Sequence, residues 1–286
     1  MERVTVGFKA FDVHELLLQF LATEKGLYEK KELFPQLEDT AGLPNDSLIK
    51  SNLYLVACGS ALNARLQGIP WKILLVGCAN PMFWVITKKK FKGLEDLAGC
   101  RICSYPAASP PAKLLKIGFK EVGIDPDSQV VILSGHDDAT RIGLLRSCQV
   151  DAAVVSSAVS HRRLEQLGFN MLACLGDYVR IPTTGLAVHD EMVRNHPDQV
   201  RVMVGIFQGA LKQARESPET TIRVISDLQY DSDDAKETYN RVLSHFTRDG
   251  RCDFASLEKA VNLFSRELGI GETPKAEEIY DFSYLT

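Results

Sequence analysis

Residues 144–168, LLRSCQVDAAVVSSAVSHRRLEQLG, limit the fold more than any other part of the chain. They read as the end of a helix, a tight turn, an apolar strand over 150–155, a Ser-Ser break and a second helix. The apolar run is too short for an ordinary helix and is bounded by polar turn residues, which makes it a buried parallel strand. Such a strand, ending in small hydroxyl residues at a helix N-terminus, leaves backbone N–H groups facing a crevice. Open α/β sheets bind ligands at these carboxyl ends. A fainter echo lies at 48–68, LIKSNLYLVACGSALNARLQG. In both copies a serine (Ser51, Ser147) opens the turn and a second (Ser60, Ser156) closes the strand nine positions later. Two such units predict two similar α/β lobes.

The rest of the chain repeats these alternations. A strand over 4–9 leads to an amphipathic helix over 13–25, with Val13, Leu16, Leu17, Phe20 and Leu21 at helical spacing. Asp12 is its expected N-cap and Gly26 its stop, and His14 in its first turn reads as a partly exposed helix residue rather than a ligand contact. Further strands are predicted at 33–38, 71–76, 82–87, 101–104, 129–133, 170–175 and 185–189. A helix is predicted from Ser109, with Pro110 at its first position, to about residue 122. Others are expected at 139–146, 197–216, 218–228, 232–247 and 254–268. The small residues before Pro110 would let a ligand approach free N–H groups, although the glycines and the Lys-Ser/Thr pair of a Walker A loop are missing.

Several function classes receive no support. A net charge of −4 offers no basic footprint for nucleic acid, and Lys88, Lys89 and Lys90 read as a solvated loop. No apolar stretch approaches the roughly 20 residues that span a bilayer. Met1-Glu2-Arg3 runs straight into a strand, so the expectation is either a cytoplasmic protein or one whose leader has been removed. The seven cysteines are scattered through apolar segments and read as small buried hydrophobes. Cys100 and Cys103 have CxxC spacing but lie along a strand, with no second pair to complete a zinc site. Neither a G-x-S-x-G elbow nor HExxH nor GxGxxG is present, and His136-Asp137-Asp138 reads as a helix cap. No catalytic constellation, metal or cofactor is expected.

Taken in order, several segments resemble a type II periplasmic solute-binding protein, in the branch serving nitrate, sulfonate, taurine and thiamine-pyrimidine importers. They are 22–33 (ATEKGLYEKKEL), 93–104 (GLEDLAGCRICS), 122–126 (VGIDP), 150–155 (VDAAVV), 196–200 (HPDQV), Leu268-Gly269-Ile270 and 280–285 (YDFSYL). The resemblance implies an α/β fold of two lobes, each a mainly parallel sheet flanked by helices, joined by crossover strands near 85–88 and 184–187. Lobe one would comprise 1–86 and 186–286, and lobe two 87–185. It implies a small organic solute, with anionic and aromatic ones among the candidates, captured by hinge closure, an ABC-transporter permease as partner, a periplasmic location and a monomer. Ligand-binding residues would be Phe8, Lys9, Phe11, Asp12, Gly59, Ser60, Asn80, Trp84, Tyr105, Ala108, Ser109, His136, Ser156, Ser157, Thr183 and Thr184, with Lys9 as the cation. Two positions depart from the family pattern: Leu55 stands where an acidic residue is usual, and Ser157-Ala158 where Glu-Pro is common. The yeast-type thiamine-pyrimidine synthases share this fold but carry a cysteine-rich motif where this chain has Ile181-Pro182-Thr183-Thr184. Suicide-enzyme chemistry is therefore not expected.

Overall fold

The structure, a computed structural model, describes residues 1–43, 48, 53–88, 91–229 and 234–286. Ser51, Lys89, Lys90 and the first two positions of the helix expected at 232–247 lie outside the described residues. Strand β1 (Glu2–Phe8) leads into α1 (Val13–Glu24), β2 (Leu33–Asp39), β3 (Leu53–Leu55), α2 (Cys58–Leu66) and β4 (Trp71–Cys78). Then follow β5 (Trp84–Thr87), β6 (Arg101–Ser104), α3 (Pro110–Glu121), β7 (Val131–Ser134), α4 (Asp138–Arg146) and β8 (Ala152–Val155). Next come α5 (His161–Gln166), β9 (Asn170–Cys174), the single turn α6 (Leu175–Tyr178) and β10 (Thr184–His189). The chain ends in α7 (Asp190–Asn195), α8 (Pro197–Glu216), α9 (Pro218–Leu228), α10 (Ala235–Val242), α11 (Phe254–Glu267) and α12 (Ala276–Ile279).

The strands form two five-stranded sheets, ordered β2-β1-β3-β10-β4 and β7-β6-β8-β5-β9. In the first, β1 pairs parallel with β2 and β3, and β10 runs antiparallel to β3 and β4. In the second, β6 pairs parallel with β7 and β8, and β5 runs antiparallel to β8 and β9. Each sheet is therefore mixed. The parallel character expected from sequence holds for four strands, and the fifth is inserted against them. The two inserted strands are reciprocal: β5 follows β4 of sheet one yet pairs in sheet two, and β10 follows β9 of sheet two yet pairs in sheet one. The chain thus passes between sheets over 79–83 and again over 179–183. The positions expected for the crossovers, 85–88 and 184–187, fall on β5 with the residue after it and on β10.

Local chemistry explains the elements that position the cleft. The Asp12 Oδ1 accepts from the Glu15 amide at 2.9 Å, the N-cap bond that starts α1. Val13, Leu16, Leu17, Leu18 and Leu21 are buried, and α1 as a whole packs against α8 and α9. All four residues of β8 are buried, as an interior strand covered on both faces requires. β10 passes β4 at Gly185, where a Cβ would stand 1.9 Å from the Leu75 carbonyl oxygen, so only glycine lets the returning strand enter sheet one. No helix among the described residues is long and apolar enough to cross a membrane.

Candidate functional site

The two lobes meet where α1, the loop after β6, the end of β8 and the second crossover converge. Asp12, the N-cap of α1, is 1% exposed. Its Oδ2 meets no partner in good hydrogen-bond geometry, although the Ser157 hydroxyl lies beside the carboxyl. Burial raises its carboxyl well above the usual range, with the neighbouring Glu15 and Asp138 adding to the effect. Glu15 Oε2 accepts from the amides of Lys9 (2.7 Å) and Ala10 (3.1 Å), tying the loop to the helix, and burial lifts this carboxyl to about 7.

His14 bridges the lobes. Its amide donates to the Ser157 hydroxyl at 2.8 Å, and its Nε2 lies 2.6 Å from the Thr183 Oγ1. Its Nδ1 is buried without a partner. Burial holds the imidazole neutral, at about 3. Its ring meets Phe83 edge-on at 5.2 Å, Phe83 meets Tyr105 at 5.5 Å, and the Arg141 guanidinium lies 3.7 Å above the Tyr105 ring. An aromatic row thus crosses the junction from α1 to α4.

Arg141 is 1% exposed and its donors are committed: Nε to the Val154 carbonyl (2.6 Å), Nη1 to the Gly135 carbonyl (2.9 Å) and Nη2 to Asp138 Oδ1 (2.6 Å). Asp138 also accepts from the Ser156 amide at 3.0 Å and the Ser156 hydroxyl at 2.5 Å. This ion pair fixes the carboxyl end of β8. Two further contacts span the cleft. Lys113 Nζ of α3 donates to Asn63 Oδ1 of α2 at 2.5 Å, and Lys120 of α3 pairs with Glu267 of α11.

The junction gathers Asp12, Tyr105, Ser156, Ser157, Thr183 and Thr184 from the residues expected by sequence. Gly59 belongs with them: its amide donates to the Thr183 carbonyl at 2.9 Å, and a Cβ there would lie 3.4 Å from Pro110. Ser156 is at the expected place but bound within its own lobe by Asp138. Phe8 ends β1 and is buried, while Phe11 is 48% exposed and packs edge-on against Phe8 and Phe20 of its own lobe. Lys9 Nζ turns to the carbonyls of Thr40 (2.6 Å) and Leu43 (3.3 Å). Trp84 starts β5 and meets His161 edge-on at 4.7 Å. Asn80 accepts from the Cys78 thiol through its carbonyl, and Ala108 from Lys113 likewise. Ser109 sits at the N-cap of α3, but its hydroxyl turns back to the Pro106 carbonyl at 2.7 Å and caps nothing. His136 is exposed, and Asp137 beside it caps α4.

Phe83 falls within the 78–84 stretch expected to border the pocket, whereas the sequence alone reads His14 as an ordinary helix residue and does not single out Asp138 or Arg141 as site residues. A signal for the last two was present: an acid and a base three positions apart, on one face of a short helix. No described group of three or more His, Cys, Asp or Glu residues could hold a metal ion. A surface depression of about 570 Å³ lies elsewhere, against α8, with Lys212, Arg215 and Arg248 on its walls.

Residues 17–221 match the model of the family described as NMT1/THI5 like. Comparison of the sequence with curated proteins gives no match. The fold is similar to that of the ligand-binding component of an ABC-type import system from Staphylococcus aureus, solved with zinc bound. That match has 13% identity and a TM-score of 0.76, and covers 99% of this chain and 98% of the other. It is similar to the alkanesulfonate-binding protein SsuA from Xanthomonas axonopodis pv. citri bound to MOPS, at 16% identity and a TM-score of 0.75, covering 98% and 99%. A desulfurization enzyme, DszB, also shares the fold at 12% identity and a TM-score of 0.70, covering 99% and 97%.

Proposed function

Because the chain belongs to the NMT1/THI5-like family, we propose that it is a solute-binding protein of an ABC-type importer. In this reading it captures a small organic molecule between its lobes by hinge closure and delivers it to a membrane permease. The observation that carries the reading is the junction itself. Buried or half-buried polar side chains from lobe one (Asp12, His14), lobe two (Tyr105, Ser157) and the second crossover (Thr183) meet there, in a molecule whose lobes are joined by two passing segments. Such convergence of a few polar groups among aromatic walls is the usual character of a small-molecule site. Sheet packing alone does not require it. In this reading the protein works outside the cytoplasmic membrane, as a monomer.

The test is a broad thermal-shift panel of sulfonates, aromatic carboxylates, pyrimidines and amines, followed by calorimetry and small-angle scattering. A binder of micromolar class that compacts the molecule is expected. Silence across the panel, with no solute changing the scattering profile, would sink the reading.

A second reading, an enzyme on the same fold, is favoured by one contact: the Thr183 hydroxyl 2.6 Å from a neutral His14 nitrogen, as a nucleophile stands to its base. His14 Nδ1 lacks the third group that would orient such a pair. Turnover of a bound solute, abolished in Thr183→Ala, would establish this reading over the first.

A further inference from the structure

We propose that the cleft is built for a ligand presenting a protonated nitrogen, an amine or amidinium, to the Asp12 carboxyl, and that it rejects sulfonates. The inference rests on the binding-protein reading and adds the charge of the solute.

The positive groups of the cleft segments are already engaged. Lys9 Nζ is held by the Thr40 and Leu43 carbonyls, Lys113 by Asn63, and Arg141 by two carbonyls and Asp138. Arg180, on the second crossover, is exposed to solvent. His14 stays neutral. The amides that an anion would seek at the start of α1 are also taken: Glu15 N by Asp12 Oδ1, Leu16 N by the Asp12 carbonyl and His14 N by Ser157. Gly59 N, at the start of α2, is bonded to Thr183. An anion entering here would meet two nearby carboxyls, with the unpartnered hydroxyls of Tyr105 and Thr184 as its remaining donors.

What remains unpartnered points the other way. Asp12 Oδ2, His14 Nδ1 and Thr184 Oγ1 are buried without a partner in good hydrogen-bond geometry, each on a residue no more than 3% exposed. A lone buried carboxylate is unfavourable unless a cation or proton joins it. Asp12 holds a proton more tightly than usual. A ligand cation would displace that proton to solvent and take its place. The groups that set this exchange are Glu15 on the same helix, Asp138 with Arg141 from α4, Tyr105, Cys78 at the end of β4, and Ser157.

The probes are four compounds of one shape: benzamidine, benzamide, benzoate and benzenesulfonate, titrated calorimetrically into the full chain at pH 7.5. Benzamidine is expected to bind at least tenfold more tightly than benzamide, with benzoate and benzenesulfonate giving no saturable heat. The benzamidine heat should differ between Tris and phosphate buffers as a proton is released, and its affinity should weaken as pH falls. Asp12→Asn keeps the helix cap, because Asn caps as well as Asp. It should fold normally and lose tenfold or more in benzamidine affinity. Tighter binding of either anion, benzamidine binding indifferent to Asp12→Asn, or silence of all four probes overturns the inference. An anion that binds and compacts the molecule in scattering would overturn the charge assignment and leave the importer reading standing.

Discussion

Lobe one and lobe two follow the same path through space but reach the cleft with different chemistry. β1, β2, β3 and β4 correspond in order to β6, β7, β8 and β9, and each sheet receives one strand from the other half of the chain between its third and fourth members. The echo between 48–68 and 144–168 is this symmetry seen in sequence: β3 with α2 and β8 with α5 are the equivalent third-strand units. Their ends differ. After β3 come Val56, Ala57, Cys58 and Gly59, an apolar surface on which the second crossover rests through the Gly59-to-Thr183 bond. After β8 comes Ser156, locked by the Asp138–Arg141 pair, and then Ser157, free to accept from His14 of the other lobe. Lobe two buries a neutralised ion pair, whereas lobe one buries a carboxyl, Asp12, that nothing neutralises. A shared topology therefore fixes where the cleft is, and the local residues fix what it can hold.

The largest effect should come from removing the neutralising partner. Arg141→Met leaves Asp138 buried without its cation and is expected to cost about 3–5 kcal/mol in urea denaturation. Arg65→Met in lobe one removes an ion pair to Asp190 whose side chains are each about one-fifth exposed, and should cost no more than about 1 kcal/mol. Equal losses would mean that lobe two's ion pair is no more structural than its surface counterpart.

A pH series separates the groups next. Glu15, lifted from 4.5 to about 7, binds its proton more tightly folded than unfolded. Its contribution to stability is full below 4.5 and is lost as pH rises towards 7. Asp12 is shifted in the same direction. His14 and His161, both lowered from 6.5 to about 3 by burial, act oppositely: their contribution is full above 6.5 and is lost as pH falls towards 3. Two carboxyls oppose three imidazoles between pH 5 and 6.5, because burial lowers His245 as well, so the natural chain should show only a shallow pH dependence there. Glu15→Gln should make stability fall on acidification by about 1 kcal/mol per pH unit. His161→Phe, which keeps the ring against Trp84, should make it rise by a similar amount. A flat profile in both variants would show that these groups are solvated in the folded protein.

How much of this was legible in the sequence depends on the range of each interaction. Asp12 was readable as an N-cap because the bond it makes is to Glu15, three residues on. The strands and the long helices were readable from their periodicity, and 197–216 and 218–228 match α8 and α9 to the residue. The antiparallel insertion of β5 was not, because an interior strand has the same apolar run in either direction. His14 was outweighed because the contacts that give it a role come from Ser157 and Thr183, 143 and 169 positions away. Ser156 was placed correctly at the β8 end, but its partner Asp138 reads locally as a helix entry. Its orientation toward β8 is a tertiary fact. For the same reason Ser156→Asp would set a second carboxylate against Asp138 and test the fold rather than the pocket.

The smallest effect is the most discriminating for the two copies. Ser157→Ala removes the acceptor of the His14 amide and leaves that buried N–H unpaired, a loss of about 1 kcal/mol. Because the bond joins the lobes, the loss should fall on closure. Scattering should show a more open molecule, while the denaturation midpoint moves little if the lobes unfold independently of their contact. Ser60, the echo's counterpart of the neighbouring Ser156, lies in the first turn of α2, and Ser60→Ala should lie within about 0.5 kcal/mol of the natural chain with unchanged scattering. If both variants open the molecule alike, the serines are equivalent cleft walls and the lobes are symmetric in chemistry as well as path. If only Ser157→Ala does, closure is held from the lobe-two copy, and α1 is the element on which the two halves meet.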